Sequence, residues 1–239
     1  KPKDIVSGDF YWVEYTDSRI LFAAVDCTGH GVPGAFMSIV GNNGLGRAVR
    51  ESRKIHPSEI LDELDDFVVE TLRQTNKTDI KDGMDIALCA YDFNTKIIEF
   101  SGANNPVYII RPRQKEFILQ SVSIQPSVSN DEYNLFEIKG DKQPIGATEN
   151  RKKFVNYSFQ VEAGDTYYIF SDGYADQFGG ASEKYPDGKK FKYSKLKELL
   201  LSNQHLSMSE QKILLNKTIE EWRGKLEQVD DILVMGVRV

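Results

Sequence analysis

Apolar residues along the chain recur in two rhythms, one of period two and one near 3.6. Residues 5–26 are rich in apolar positions around a polar turn at Thr16-Asp17-Ser18. This predicts an antiparallel strand pair whose second member is the buried run Ile20-Leu21-Phe22-Ala23-Ala24-Val25, with Asp26 at its end. Further β-runs are predicted at residues 86–91 and 97–100, on either side of the turn Asp92-Phe93-Asn94-Thr95, and at 107–111 after Asn104-Asn105-Pro106. A hairpin-like zone follows as far as Gly146. Residues 166–170 then form a β-run that delivers Ser171-Asp172-Gly173, and a closing strand over 232–237 follows Asp230-Asp231.

The helical rhythm is clearest where Ile60, Leu61, Leu64, Phe67, Val68 and Leu72 share one face, with an acidic face opposite. It predicts a helix over 58–74 that Pro57-Ser58 begins. Gly29-His30-Gly31-Val32-Pro33-Gly34 reads as a loop leading into a helix over 35–50. In that helix Gly41, Gly44 and Gly46 lower the propensity and permit close packing or a kink. Residues 194–226 read as mostly helical.

No internal repeat, low-complexity tract or interdomain linker interrupts the 239 residues, so residues 1–239 read as a single domain. The abrupt start at Lys1-Pro2-Lys3-Asp4 leads us to expect a C-terminal piece of a longer regulatory protein. With 30 basic against 36 acidic residues the net charge is −6, which argues against a nucleic-acid-binding face and suits a cation site or a basic partner. Cys27 and Cys89 lie inside β-runs and read as buried thiols rather than a disulfide. No apolar run reaches the roughly 18 residues that span a bilayer, so no membrane contact and a cytoplasmic location are expected for this piece.

The candidate chemistry lies in aspartates at the edges of β-runs: Asp9 in Ser7-Gly8-Asp9, Asp26, Asp172, Asp230 and Asp231. An Asp beside Gly at a strand end is, taken alone, more often a turn former than a ligand. As a set, oxygen-only carboxylates suit Mg²⁺ or Mn²⁺, whereas zinc would draw on more His or Cys than the three histidines and two cysteines offer. There is no Cys-x₅-Arg loop for thiol chemistry and no Gly-x₄-Gly-Lys-Ser/Thr phosphate loop.

Several motifs stand in the order of a known family: Ser7-Gly8-Asp9-Phe10, the run from Val25-Asp26-Cys27-Thr28 to Val32-Pro33-Gly34-Ala35, Gly102-Ala103-Asn104-Asn105-Pro106, Pro144-Ile145-Gly146, Phe170-Ser171-Asp172-Gly173 and Asp230-Asp231-Ile232. The chain thereby resembles, over nearly its whole length, the metal-dependent protein phosphatases of the protein phosphatase 2C superfamily, in the bacterial branch typified by the sporulation phosphatase SpoIIE. The resemblance implies an α+β fold, a four-layer α-β-β-α sandwich with two central antiparallel sheets flanked by helices. It implies two divalent cations, Mn²⁺ or Mg²⁺. Asp26 resembles the carboxylate that bridges them, with the Cys27 carbonyl beside it. Asp172 and Asp230 resemble ligands of the second ion, with Asp231 ranked below them because the superfamily often has Asn there. Asp9 resembles the acidic residue that orients the attacking water.

Two ions sharing a carboxylate would acidify a bridging water for in-line attack on phosphorus, without a phosphoenzyme. The implied partners are a phosphorylated protein substrate, such as an anti-sigma-factor antagonist, and an upstream sensor or regulatory domain acting through the helices near 35–50 and 58–74. A homodimer is compatible. Departures from the family are Leu233, where Thr or Ser is usual, and His30, four residues after Asp26 rather than two, so the acid role of the eukaryotic enzymes' histidine is not transferred to it. His30 reads instead as a residue that bonds backbone and holds the glycine-rich turn. A rival from another class is a catalytically idle phosphatase-like domain that binds a partner without hydrolysis.

Overall fold

The computed structural model describes residues 1–72, 82–146, 151–181, 185 and 187–239. Strands β1 (Phe10–Tyr15) and β2 (Arg19–Cys27) form the first hairpin, and helices α1 (Gly31–Arg50) and α2 (Pro57–Thr71) follow. The chain then lays down β3 (Met84–Asp92), β4 (Ile97–Ala103) and β5 (Val107–Pro112). Four shorter segments come next: β6 (Ile118–Leu119), β7 (Val122–Ser123), β8 (Val128–Ser129) and, longer, β9 (Tyr133–Ile138). After β10 (Tyr157–Gln160) and β11 (Thr166–Phe170), a short helix α3 (Gly173–Asp176) and a ribbon of β12 (Phe178–Gly179) with β13 (Lys189–Lys190) precede α4 (Tyr193–Ser202), α5 (Met208–Arg223) and β14 (Val234–Arg238).

Two antiparallel sheets carry the fold, ordered β1-β2-β3-β4-β10 and β14-β11-β5-β9-β8. They are packed face to face and covered by helices on both outer sides, giving the four-layer α-β-β-α sandwich. The side-chain alternation of the strands shows why. In β2, Leu21, Ala23 and Val25 face α1 and α2 in one core with Leu45, Leu61 and Leu64. Phe22 and Ala24 face the other way, into a second core between the sheets with Ile109, Phe136, Tyr167 and Ile169. On β11 the alternate residues Tyr168 and Phe170 enter a third core with Leu196, Leu200 and Ile219 from α4 and α5. A strand buried on both faces reads as a continuous apolar run, which is what residues 20–25 show.

Element boundaries differ from expectation in three informative places. Helix α1 begins at Gly31, not at residue 35, so most of the glycine-rich segment is its first turn. Pro33 is tolerated there because a first-turn N–H has no intrahelical acceptor. Residues 4–9 are irregular, and β1 starts only at Phe10. The last strand starts at Val234, leaving Ile232 and Leu233 in extended chain. Helix α2 is described to Thr71; the end expected for it, at Arg73 and Gln74, lies outside the described residues.

Candidate active site

Antiparallel pairing places five chain segments at one end of the two sheets. In the first sheet Phe10 pairs Val25, so Asp9, just before β1, sits beside the end of β2 that carries Asp26. In the second, Phe170 pairs Val234, which sets Asp172 next to the chain around Asp230 and Asp231. The two sheets meet here directly, since the Asp172 backbone N–H donates to Asp26 Oδ2 at 3.3 Å. Opposite Asp26 in register lies Asp85, whose Oδ1 accepts from Asn104 Nδ2 at 2.7 Å.

Backbone packing fixes these positions. A Cβ on Gly173 would lie 1.9 Å from the Asp231 carbonyl oxygen, so only glycine lets the turn after Asp172 lie against the segment before β14. At the first turn of α1 a Cβ on Gly34 would lie 2.3 Å from the Gly29 carbonyl oxygen and 2.9 Å from Gly8 Cα. The Ser7-Gly8-Asp9 and Gly29-to-Gly34 motifs are therefore in backbone contact. Asp231, 2 % exposed, joins them to the C-terminal segment. Its Oδ1 accepts the Lys3 N–H and its Oδ2 the Gly8 N–H, both at 2.7 Å.

The carboxylates share an electrostatic neighbourhood. Burial raises the pKa of Asp9 well above the usual range, and Asp231, Asp230 and Asp172 add to this, against a lowering hydrogen bond from Ser171. Burial likewise raises Asp26, with Asp9, Asp172 and Asp85 contributing, while the Asp172 N–H lowers it. Asp172 is pushed up to about 6, first by burial and then by Asp230, Asp176 and Asp85. Asp9 Oδ2 is buried with no hydrogen-bond partner. The Cys27 thiol is raised far above its usual range by burial and then by Asp9 and Asp26, so it stays protonated and a poor nucleophile. Cys27 and Cys89 are both free and buried.

The donor set fits a hard divalent cation in its chemistry. The carboxylates repel one another, and the buried Asp9 Oδ2 lacks a partner. They do not form a closed cage, for among the described residues no three His, Cys, Asp or Glu groups gather into a metal-holding cluster. A hydrated ion that keeps several waters tolerates such spacing.

His30 departs from its expected role. Its Nδ1 lies 2.7 Å from Asp4 Oδ2 and its Nε2 2.9 Å from Lys3 Nζ, so it bonds exposed side chains rather than the backbone of the turn. Asp85 and Asn104 belong to the site's wall and were not among the sequence candidates. Asp85 begins an apolar run as Asp26 ends one, and that mirrored placement was the available signal.

The model of the family described as Stage II sporulation protein E (SpoIIE) matches residues 16–126 and 124–239. The chain belongs to the SpoIIE family. Among solved structures, the SiaA-PP2C domain of Pseudomonas aeruginosa is similar with a TM-score of 0.80 and 26% identity, over 100% of this chain and 83% of that one. The PP2C phosphatase domain of SpoIIE from Bacillus subtilis, with a fragment of its regulatory domain, gives a TM-score of 0.69 at 17% identity, over 99% of this chain and 59% of that one. A serine/threonine phosphatase of S. agalactiae gives 0.58 at 18% identity, over 99% and 95%. A search of curated protein sequences returns no match. The SpoIIE-family chain thus has the phosphatase 2C-type fold, and none of its described helices is long and apolar enough to cross a membrane.

Proposed function

We propose that this SpoIIE-family domain is a metal-dependent phosphatase that hydrolyses phosphoserine or phosphothreonine on a regulatory protein, of which an anti-sigma-factor antagonist is one example. The observation that carries the reading is the convergence of Asp9, Asp26 and Asp172 at one end of the two sheets, where the Asp172 N–H meets Asp26 and burial, with the neighbouring carboxylates, opposes their ionisation. No basic side chain hydrogen-bonds any of the three among the described residues. Mn²⁺ or Mg²⁺ is the partner that oxygen donors so placed favour.

In this reading Asp26, the Cys27 carbonyl, Asp172 and Asp230 would hold the ions, with Asp26 the most central of the carboxylates. When bound, the ions supply positive charge for the phosphoryl oxygens and a water acidified towards neutral pH. Asp9 Oδ2, buried without a partner in the protein, would be free to accept a proton from such a water and orient it. Asp231 acts as a positioning residue rather than a ligand, because both its oxygens already accept backbone N–H groups and so hold Gly8, and with it Asp9, in place. We place the domain in the cytoplasm, under the control of an upstream sensor domain.

The test is hydrolysis of a phosphoserine peptide by the purified chain under Mn²⁺ and Mg²⁺ titration, with and without chelator. Turnover is expected to rise with metal and vanish on chelation, whereas full turnover after exhaustive chelation would remove the ions from the mechanism. The absence of a closed ligand cluster among the described residues favours one second reading, a domain that binds its phosphoprotein partner without hydrolysing it. Tight binding of that partner with no turnover at saturating Mn²⁺ would establish it.

A further inference from the structure

A cleft of about 280 Å³ adjoins the carboxylates and differs from them in charge. Its lining includes Asn104, Asn105, Tyr193, Lys139, Lys142 and Lys197. Two of these also belong to the neighbouring wall. Asn104 donates to Asp85, and the Tyr193 hydroxyl is raised far above its usual pKa by burial and then by Asp172, Asp176, Asp26 and Asp85. An extended peptide lying across the carboxylate end of the sheets would therefore pass from one region into the other.

The charge balance of the cleft is positive. Its one carboxylate, Glu137, accepts from Lys197 Nζ at 2.9 Å. Asp141, adjacent to Lys142, is outside the lining and its Oδ2 accepts the Val155 N–H. Lys139 and Lys142 are exposed and make no ion pair with any described residue. In the same lining Asn105 is 7 % exposed, and its Nδ2 has no hydrogen-bond partner. Tight packing holds it there: a Cβ on Gly102 would lie 2.3 Å from the Asn105 carbonyl oxygen, and one on Gly140 2.7 Å from the same atom. The Gly102-to-Pro106 motif thus forms the floor of a cationic cleft and is more than a turn.

We propose that this cleft is a specificity subsite that receives an acidic side chain, Asp or Glu, flanking the phosphorylated residue of the substrate protein. Lys139 and Lys142, both exposed and without an ion-pair partner among the described residues, supply the charge. The inference rests on the phosphatase reading for the placement of the phosphorylated residue. It also accounts for how a domain of net charge −6, with carboxylates gathered at one end of its sheets, attracts an anionic substrate.

The experiment compares two phosphoserine peptides, identical except for Glu or Gln at the flanking positions, on the wild-type chain and on Lys139→Gln/Lys142→Gln. Wild type should prefer the Glu peptide roughly tenfold in kcat/KM, through KM, and the double variant should reduce that ratio to near one. Equal ratios in the two proteins, or no preference in wild type, would overturn the subsite. Fluorescence anisotropy of the unphosphorylated Glu peptide separates this from the phosphatase reading. Binding that the double variant loses supports the subsite even if neither peptide is hydrolysed, and binding that it retains counts against it.

Discussion

At the scale of single residues, the carboxylates divide into those whose oxygens are taken by the protein and those whose oxygens are not. Asp26 accepts one long backbone hydrogen bond and Asp9 Oδ2 accepts none, whereas Asp231 has both oxygens bonded. Asp26→Asn is accordingly expected to lose the most turnover of any single change, measured as kcat at saturating Mn²⁺. Activity near wild type would take Asp26 out of the site. Asp231→Ala should behave differently, weakening apparent Mn²⁺ affinity by about 10–100-fold, as losses of residues that orient ligands do. Titration calorimetry checks this, and unchanged affinity would make Asp231 a purely structural clamp. Cys27→Ala should retain turnover, since its thiol is held protonated and only its carbonyl is proposed to act. The sequence offered Asp9, Asp26, Asp172, Asp230 and Asp231 as candidates because they stand at the edges of apolar runs, and the fold gathers them at one end of the sheets. Asp85 stands at such an edge too, but its place opposite Asp26 comes from the register of β2 with β3, a pairing that local pattern does not encode.

At the scale of elements, α1 and α2 are tied to the sheets by different means. Helix α1 packs through glycine: a Cβ on Gly44 would lie 2.6 Å from Leu64 Cδ1 and one on Gly41 2.9 Å from Met84 Sδ, while Gly46 faces open space. The three glycines looked alike in the sequence, because what each one meets is set by tertiary packing. Gly44→Ala should destabilise the fold by about 1–3 kcal/mol and Gly46→Ala should not, by thermal denaturation. Helix α2 adds polar contacts to the apolar face that Ile60, Leu61, Leu64 and Val68 bury. Asp65 accepts the Gly146 N–H and Arg151 Nε, and His56, just before α2, meets the buried Glu99, which also accepts from Arg19 and Asn156. Burial opposes ionisation of Glu99, but the hydrogen bonds from His56 and Asn156, then Arg19, outweigh it and leave its pKa lowered. A depressed carboxylate pKa contributes stability above the ordinary Glu value, and that contribution is lost as pH falls through the folded value. Glu99→Gln should thus cost about 2 kcal/mol at neutral pH, with a gap to wild type that closes in acid. A gap independent of pH would show that the charge of Glu99 does not stabilise the fold.

At the scale of the whole molecule, the order of strands and helices was largely readable, because each of the main strands and each long helix kept its own period. The irregular run before β1 was not readable, since Ile5 and Val6 look like strand residues yet stand 100 % and 39 % exposed. Nor was the pairing between distant segments, such as the buried Arg111–Asp165 pair, where Asp165 also accepts from the Tyr167 hydroxyl. Removing one partner of a buried pair leaves the other charge uncompensated, so Asp165→Ala should cost about 3–5 kcal/mol in chemical denaturation. A loss under 1 kcal/mol would mean that water compensates Arg111.

The Asp231 clamp has a further consequence for the order of synthesis. The segment from Lys3 to Gly8 leaves the ribosome before the rest of the domain, but the carboxylate that accepts its N–H groups comes 223 positions after Gly8. The first hairpin and the helices behind it have local partners and can form while the rest is still being made. The end of the sheets where Asp9 lies cannot close until the final strand emerges. A nascent chain halted before position 231 therefore holds most of the architecture with its anionic edge still open, and a protease or chaperone that reads loose segments would find the stretch from Lys3 to Gly8 unclamped until residue 231 emerges.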